Sequence, residues 1–193
     1  MTLAEYLQLM STEYFYICKN HSVVEIGPNS TIHSDLIIKH TPKHLTLIEA
    51  DQQSAEKMAV VPGVDQMVND DVMHVLNKKH QTDVVVCCGV LYHLHSPLHL
   101  LELITNNCDP KYIILDCVID QQQMQFLPEE DNQTGNRYTV GQWKSAKFNL
   151  VIPFDIIDIA MQNMGYKLIN KHLVQVPEYR PKNNSWVAMW EKQ

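Results

Sequence analysis

The clearest indication of the fold is a run of five apolar residues, Val84 to Cys88. A strand that is apolar on successive residues needs a cover on both faces, which is typical of a central strand in a parallel sheet. Shorter apolar runs end at Ile26 and Ile48, and each is followed by a segment with helical spacing of apolar residues. This alternation predicts a three-layer α/β sandwich around a mostly parallel sheet.

Both ends of the sequence are predicted to belong to the same domain. Apolar residues at helical spacing predict an N-terminal helix over residues 3–17, and its apolar stripe needs a surface to lie on. Towards the other end, Gly165 closes a helix, and residues 166–176 and 185–190 predict two strands that pair antiparallel. A length of 193 residues suits one core, so residues 1–193 are predicted to form a single domain.

The periodic pattern disappears between residues 119 and 153. A loop of that length in a compact domain is typically functional, and we expect this segment to cover a substrate pocket. It carries aromatic and cationic side chains that suit an anionic or planar substrate, namely Arg137, Tyr138, Trp143 and Lys144. The alternative is a loop that Trp143 simply anchors to the domain.

Charge and cysteine content limit the partners of the chain. Lys and Arg total 15 against 22 Asp and Glu, a formal charge of -7, which argues against an extended nucleic-acid interface. The five cysteines include no CxxC pair, which argues against a disulfide framework or structural zinc and favours a reducing, cytoplasmic setting. The acidic residue near the N-terminus argues against a signal peptide, and the lack of a long apolar run argues against a membrane span.

In a sheet of this kind, ligands bind at the carboxyl ends of the strands, where the strand order reverses. After the first predicted strand, Glu25 and a bend at Gly27 precede a helix whose first N–H groups are available to a ligand. Glu49 follows the second strand, 22 residues beyond Gly27, and a carboxylate there suits the two hydroxyls of a ribose. The alternatives are a plain connecting turn at Gly27 and a helix cap at Glu49 or Asp51.

Two further strand ends carry polar residues. Asp70 follows the third strand, where its carboxylate could accept a hydrogen bond from an exocyclic amine such as that of adenine, or could cap the next helix. The central strand ends with Cys88 and breaks at Gly89, after which Tyr92 and His93 come to the rim of the expected cleft. These residues are predicted to form one wall of a site.

The motifs at the four strand ends occur in a meaningful order: Glu25-x-Gly27, then acids at positions 49 and 70, then Gly89-Val-Leu-Tyr-His-Leu followed by Ser96-Pro97. In this order they resemble the class I S-adenosylmethionine-dependent methyltransferases, and the resemblance runs from about residue 22 to residue 190. It implies a seven-stranded, Rossmann-like sheet with a C-terminal antiparallel hairpin. It also implies S-adenosylmethionine as cofactor and a small molecule or a modified nucleoside as the methyl acceptor.

The resemblance also implies a role for each of the first three strand ends. Glu25 and Gly27 would flank the methionine part of the cofactor. Glu49 would hold the ribose hydroxyls, and Asp70 would hold the adenine.

One motif departs from the family pattern. The glycine-rich loop of the family usually has three glycines, whereas Asn29 and Thr31 stand at the second and third of these positions. Asparagine tolerates a left-handed backbone, so Asn29 is kept as a cofactor-binding residue, whereas threonine does not readily adopt one, which predicts a reshaped loop or weaker cofactor binding at Thr31. The backbone of Cys88 and Gly89 would complete the cofactor pocket near the methyl group.

This departure supports a second hypothesis, a degenerate member of the fold that binds the cofactor, or acts through protein contacts, without catalysis. A nicotinamide-binding Rossmann domain is the third hypothesis. The missing second and third glycines and the final hairpin argue against it.

His93 is the candidate for a chemical role. Methyl transfer is an in-line displacement in which the protein aligns the nucleophile and removes a proton where needed, and an imidazole titrates near neutrality. The alternative is a histidine that only packs or binds a backbone carbonyl. No metal ion is predicted, because His95 precedes the helix that begins at Ser96-Pro97 and does not share a helical face with His99. The oligomeric state stays open.

Overall fold

The structure is a computed structural model that describes residues 1–118, 125–128, 148–176 and 185–193. These residues contain nine strands. In chain order the strands are β1 (Ser22–Ile26), β2 (His44–Ile48), β3 (Gln66–Val68), β4 (Val84–Cys88), β5 (Tyr112–Val118), β6 (Gln125–Pro128), β7 (Phe148–Val151), β8 (Tyr166–Val174) and β9 (Ser185–Lys192).

Six α-helices connect and flank these strands in the described part of the chain. They are α1 (Leu3–Leu9), α2 (Thr31–Lys39), α3 (Gln52–Met58), α4 (Val72–Val75), α5 (Pro97–Leu103) and α6 (Phe154–Asn163). None of them combines the length and the apolar character that crossing a bilayer requires.

Seven strands form the main sheet, in the order β3-β2-β1-β4-β5-β9-β8. From β3 to β5 every neighbouring pair is parallel, whereas β9 runs antiparallel to both β5 and β8. The chain moves outward from β1 to β3 and then returns to the other side of β1 with β4, so the strand order reverses between β1 and β4. The predicted α/β sandwich and C-terminal antiparallel hairpin are both confirmed.

Strand β4 is the central strand that its apolar run predicts. Residues 84–87 are buried, with Val85 and Cys87 in one hydrophobic cluster and Val84 and Val86 in a second cluster. Alternate residues of a strand point to opposite faces of the sheet. Both faces of β4 are therefore covered by core, which explains why apolar residues follow one another without a polar alternation.

The N-terminal helix predicted over residues 3–17 is helical throughout but changes geometry twice. After α1, Met10–Tyr14 forms a π-helical turn and Phe15–Cys18 a 3₁₀ turn. Tyr14 and Phe15 are both buried, and Tyr14 Oη donates to the Val187 carbonyl at 2.9 Å. These contacts with the sheet override a uniform α-helix. Tyr14 and Phe15 therefore cover the sheet, whereas Tyr16 is exposed.

The expectation that residues 119–153 lack regular structure is wrong at both ends of the segment. Strands β6 and β7 pair antiparallel in a small separate sheet, with residue 125 opposite residue 151. Four-residue strands are too short to produce a periodic signal in the sequence. Arg137, Tyr138, Trp143 and Lys144, for which a substrate-covering role was expected, lie outside the described residues.

Smaller differences concern element ends and cysteines. The helix that follows β3 is the single turn α4, because Lys78 and Lys79 and their neighbours offer no apolar face to continue it. Gly165 has φ +87° after α6, as its predicted capping position requires. The five cysteines form no disulfide with one another.

Candidate active site

A cavity of about 440 Å³ lies at the carboxyl ends of the strands, and the eight residues predicted to bind the cofactor or to act in catalysis are on its wall. These residues are Glu25, Gly27, Asn29, Glu49, Asp70, Cys88, Gly89 and His93. The cavity lies at the ends of β1, β2 and β4, where the strand order reverses. This is where open α/β sheets bind their ligands.

The bend at Gly27 joins the tips of two strands. Its N–H donates to the Ile48 carbonyl at 2.8 Å, which fixes the end of β1 against the end of β2. Gly27 has φ +70°, and a Cβ atom placed on it would lie 2.4 Å from Val90 Cγ2. Both the backbone conformation and the close approach of Val90 require glycine here. Gly27 is therefore more constrained than a residue in a plain connecting turn.

The two departures from the glycine-rich pattern cause no backbone strain. Neither Asn29 nor Thr31 has a positive φ, and Thr31 is the first residue of α2. The Asn29 N–H donates to the Gly27 carbonyl at 2.8 Å, and Ser54 Oγ donates to Asn29 Oδ1 at 3.4 Å. The loop therefore follows a path that demands a left-handed backbone only at its first position, which is the glycine that the chain retains.

Glu25 is a buried acid at the floor of the cavity. Its side chain is 2% exposed, and Ser34 Oγ from α2 donates to Glu25 Oε2 at 2.6 Å. Burial disfavours the charged form, and the nearby Asp35 and Glu49 add repulsion, which together raise the pKa of Glu25 to about 8 despite the Ser34 hydrogen bond. The carboxyl therefore favours its protonated form at neutral pH.

Glu49 follows β2 and is also buried. Its Oε1 accepts the Asp51 N–H at 2.8 Å, and its own N–H donates to the Val68 carbonyl at 3.0 Å. Burial raises the pKa of Glu49. The N-cap of α3 is Asp51, which accepts from the Ser54 N–H at 2.8 Å. The capping role considered for Glu49 therefore belongs to Asp51.

Asp70 lies at the more open side of the cavity. The cap of α4 is Asp71, whose Oδ1 accepts from the Met73 N–H at 2.8 Å, so Asp70 is not the capping residue. The Asp70 carboxylate is half exposed; it accepts from the Asp71 N–H at 2.7 Å and lies 3.6 Å from His74 Nδ1. Its remaining oxygen positions suit a hydrogen-bond donor from a ligand.

The end of β4 forms the opposite wall. Gly89 has φ +78°, and its N–H donates to the Asp116 carbonyl on β5 at 2.8 Å. A 3₁₀ turn over Leu91–His93 then places His93 on the cavity wall, with the Tyr92 and His93 ring centroids 4.2 Å apart. His99, in contrast, lies on the exposed side of α5 beside Glu102.

Sequence reasoning missed His33 and Ser34, which face the site from α2. Both are buried, and His33 lines the cavity. His33 Nε2 lies 2.9 Å from Tyr6 Oη, and Tyr6 Oη donates to Asp116 Oδ2 at 2.9 Å. The sequence did carry a signal, because these two polar residues lie on the same buried side of the helix as Leu36 and Ile37. A buried polar residue among apolar ones usually has a specific partner.

Comparison with known proteins agrees with this geometry. A family model described as a methyltransferase domain matches residues 2–171. No curated protein sequence matches the chain. An S-adenosylmethionine-dependent methyltransferase from Mesorhizobium loti is 11% identical with a TM-score of 0.67, and the match covers 97% of this chain and 96% of that one.

Two further solved structures share the fold. A magnesium protoporphyrin IX methyltransferase from Synechocystis PCC 6803, solved with bound S-adenosylmethionine, is 11% identical with a TM-score of 0.63, covering 98% of this chain and 79% of that one. A 1,6-didemethyltoxoflavin-N1-methyltransferase from Burkholderia thailandensis is 10% identical with a TM-score of 0.66, covering 97% and 78%. Since the family model covers most of the sequence and these structures share its fold, the chain belongs to the class I S-adenosylmethionine-dependent methyltransferases.

Proposed function

We propose that the cavity binds S-adenosylmethionine with its adenosine at Glu49 and Asp70 and its methionine at Glu25 and Gly27, and that the enzyme methylates a small molecule. The observation that carries this proposal is the common wall that all the predicted residues form around one cavity. Its volume of about 440 Å³ is within the range of small-molecule and cofactor pockets.

The adenosine end of the cavity offers hydrogen-bond acceptors. Glu49 uses Oε1 for the Asp51 N–H, and an ionised carboxylate has further lone pairs for the two ribose hydroxyls. The half-exposed Asp70 then accepts from the adenine amine. Asn69 supports this arrangement, because its Nδ2 donates to the Glu49 carbonyl at 2.8 Å and ties the ends of β2 and β3 together.

The methionine end combines a buried acid with two positions that lack a side chain. The sulfonium and ammonium charges of the cofactor favour the ionised form of Glu25, so binding releases a proton at neutral pH. Asn29 and the glycines at positions 27 and 89 let the cofactor approach the backbone, and the Cys88–Gly89 backbone lies next to the transferred methyl group.

The proposed chemistry is a direct displacement. A lone pair of the acceptor forms a bond to the methyl carbon, the carbon–sulfur bond breaks, and its electron pair stays on sulfur to give S-adenosylhomocysteine. We assign His93 as the base that takes a proton from the acceptor, since it lies on the cavity wall beyond Gly89. Replacing His93 with Gln should lower the rate of transfer while leaving the affinity for S-adenosylhomocysteine within about twofold, as measured by calorimetry.

A small-molecule acceptor is supported by the charge of -7, which opposes a polyanionic surface. The similar enzymes from Synechocystis PCC 6803 and Burkholderia thailandensis are named for small-molecule acceptors. A modified nucleoside is the second candidate, since it also offers a planar ring as acceptor.

Methyl-labelled S-adenosylmethionine incubated with separated cell fractions tests the proposal. We expect label in the low-mass metabolite fraction. Label confined to the RNA fraction would replace the small molecule by a nucleoside in RNA. Binding of S-adenosylhomocysteine without label in any fraction would favour the non-catalytic alternative, and a matched reaction without enzyme gives the background.

A further inference from the structure

Three side chains of types that bind metal ions come from distant parts of the chain and meet beside Cys88 and Gly89. We call this part of the cavity, where the transferred methyl group is proposed to lie, its methyl end. They are His33 on α2, Cys88 at the end of β4 and Asp116 on β5, and in the described part of the chain they form the one group of this kind. One ligand atom from each lies within 4.8 Å of the other two. His33 and Cys88 also line the cavity, so this group borders the space that the cofactor and acceptor would share.

The backbone holds these residues in place. Cys88 and Asp116 are direct partners in the parallel ladder between β4 and β5, which puts their side chains on the same face of the sheet. His33 lies in the first turn of α2, and its ring makes edge contacts with the rings of Tyr6 and Phe15. A site formed by buried, packed elements keeps its geometry, unlike a chance group of exposed side chains.

Tyr6 orients two of the three ligands. Its single hydroxyl proton is donated to Asp116 Oδ2, so its oxygen accepts from His33 Nε2–H at 2.9 Å. A neutral imidazole protonated on Nε2 has its lone pair on Nδ1, which is the form that binds a metal ion. Hydrogen bonds to the other nitrogen of a ligating histidine, and to ligating carboxylates, are the usual outer support of protein metal sites.

The donor set selects the ion. Imidazole nitrogen, thiolate sulfur and carboxylate oxygen together suit Zn²⁺, whereas Mg²⁺ and Ca²⁺ prefer oxygen ligands alone. Zinc–ligand bonds of about 2.0–2.3 Å place tetrahedral ligand atoms roughly 3.5 Å apart, so ligand atoms within 4.8 Å of one another need to move by little more than an ångström.

We propose that His33, Cys88 and Asp116 bind a zinc ion whose fourth position opens into the cavity. On binding, the thiol of Cys88 loses its proton to solvent, and the imidazole binds through a nitrogen that carries no proton. Three protein ligands with one open position are typical of catalytic rather than structural zinc sites. The sequence-based expectation of no metal considered only histidines close in the chain, and this site uses residues far apart in it.

The role of the ion rests on the proposed function, although its binding does not. If the methyl group lies beside Cys88 and Gly89, a hydroxyl or thiol of the acceptor can occupy the open zinc position. Coordination lowers the pKa of such a group and makes it a better nucleophile at neutral pH. The site therefore selects an acceptor that is methylated on oxygen or sulfur.

Titration of the metal-free, full-length protein with Co²⁺ tests the site. We expect one equivalent to bind with a thiolate-to-cobalt charge-transfer absorption, and added Zn²⁺ to displace it. Cys88→Ser should abolish that absorption, and His33→Gln should weaken binding at least about tenfold. The matched control is Cys117→Ser, since Cys117 is the neighbour of Asp116 in β5 and belongs to the core on the opposite face. It should bind Co²⁺ as the wild type does.

Tyr6→Phe separates this site from a proton relay through the same residues. It keeps all three ligands, so cobalt binding should weaken by about 10- to 100-fold and retain its thiolate absorption. Absence of stoichiometric binding, binding without thiolate absorption, or unchanged binding in the His33→Gln/Cys88→Ser double variant would each overturn the proposal. Calorimetry with S-adenosylhomocysteine on the same metal-free sample reports the cofactor site separately, so the two failures are distinguishable.

Discussion

The two ends of the cavity are built in different ways. At the end where we propose that the adenosine binds, Glu49 and Asp70 directly follow their strands, and each accepts a hydrogen bond from the backbone of a residue one or two positions later. At the methyl end, Tyr6, His33 and Asp116 form one hydrogen-bonded group although they are up to 110 residues apart. One end is local in sequence, and the other depends on the assembled fold.

Exposure separates Asp70 from the other three acids. The side chain of Asp70 is 52% exposed, whereas Glu49, Glu25 and Asp116 are 5%, 2% and 1% exposed. A solvated carboxylate can be replaced at little cost to folding, and a buried one affects the stability and protonation of the whole domain. Changes at Asp70 should therefore act on affinity alone, whereas changes at the three buried acids should act on stability as well.

The largest expected effect is the pH dependence of stability that Glu25 causes. Its pKa is raised from 4.5 to about 8 in the folded state, so the folded state holds this proton more tightly than the unfolded state does. The contribution of Glu25 to stability is present below pH 4.5 and is lost as the pH rises towards 8. Relative to Glu25→Gln, the wild type should lose on the order of 3 to 4 kcal/mol of unfolding free energy between about pH 5 and 8.

Urea denaturation of both proteins across this pH range measures the difference. Comparing the two proteins cancels the pH dependence caused by the titratable groups that both contain. The Gln side chain still offers an oxygen that accepts from Ser34 Oγ. If the difference in unfolding free energy between the two proteins stays constant with pH, Glu25 is ionised in the folded protein. That result would contradict the claim that burial controls the protonation of this acid.

The next largest effect is a loss of stability at Gly27, where both the backbone conformation and the packing against Val90 require glycine. Gly27→Ala should lower the unfolding free energy by about 3 kcal/mol, since it combines a left-handed alanine with a clash against Val90. Gly165→Ala is the matched control, because Gly165 has a similar φ and nothing within 4 Å of the added Cβ. We expect it to cost about 1–2 kcal/mol. Equal losses in thermal or chemical denaturation would remove the close contact with Val90 from the account.

Glu49→Ala should weaken S-adenosylhomocysteine binding by about 1.5 to 3 kcal/mol, roughly 10- to 150-fold, because it removes the proposed carboxylate acceptor of the ribose hydroxyls. Glu56→Ala on the exposed side of α3 serves as the control and should bind as the wild type does. Calorimetry gives both affinities. If Glu49→Ala binds the ligand as tightly as the control, Glu49 does not contact the cofactor.

The smallest effect is expected at Asp70. Because its carboxylate is half exposed, Asp70→Asn should cost less than about 1 kcal/mol of cofactor affinity. Binding of adenosine alone should fall by the same factor, since only the adenine contact changes. A larger loss for S-adenosylhomocysteine than for adenosine would move Asp70 away from the adenine.

The sheet and the positions of Glu49 and Asp70 on the cavity wall could be predicted because their signals are local. The apolar run of β4 indicates its central position, and the acids after β2 and β3 follow their strands directly. Gly27 could likewise be assigned from its place after β1. In each case a few neighbouring residues carry both the structure and the chemical argument.

The methyl end could not be predicted in the same way. His33 and Asp116 are brought together by the packing of α2 on the sheet, and no spacing in the sequence relates them. The change to π-helical geometry after Leu9 reflects contacts with β9, which lies more than 170 residues later. Strands β6 and β7 were missed because each has only four residues.

Calorimetric titration of the wild-type protein with S-adenosylhomocysteine, and separately with NAD, tests the central assignment most directly. We predict that S-adenosylhomocysteine binds at one site per chain and that NAD gives no comparable heat. Preferential binding of NAD, or no binding of S-adenosylhomocysteine at millimolar concentration, would contradict the assignment of this cavity.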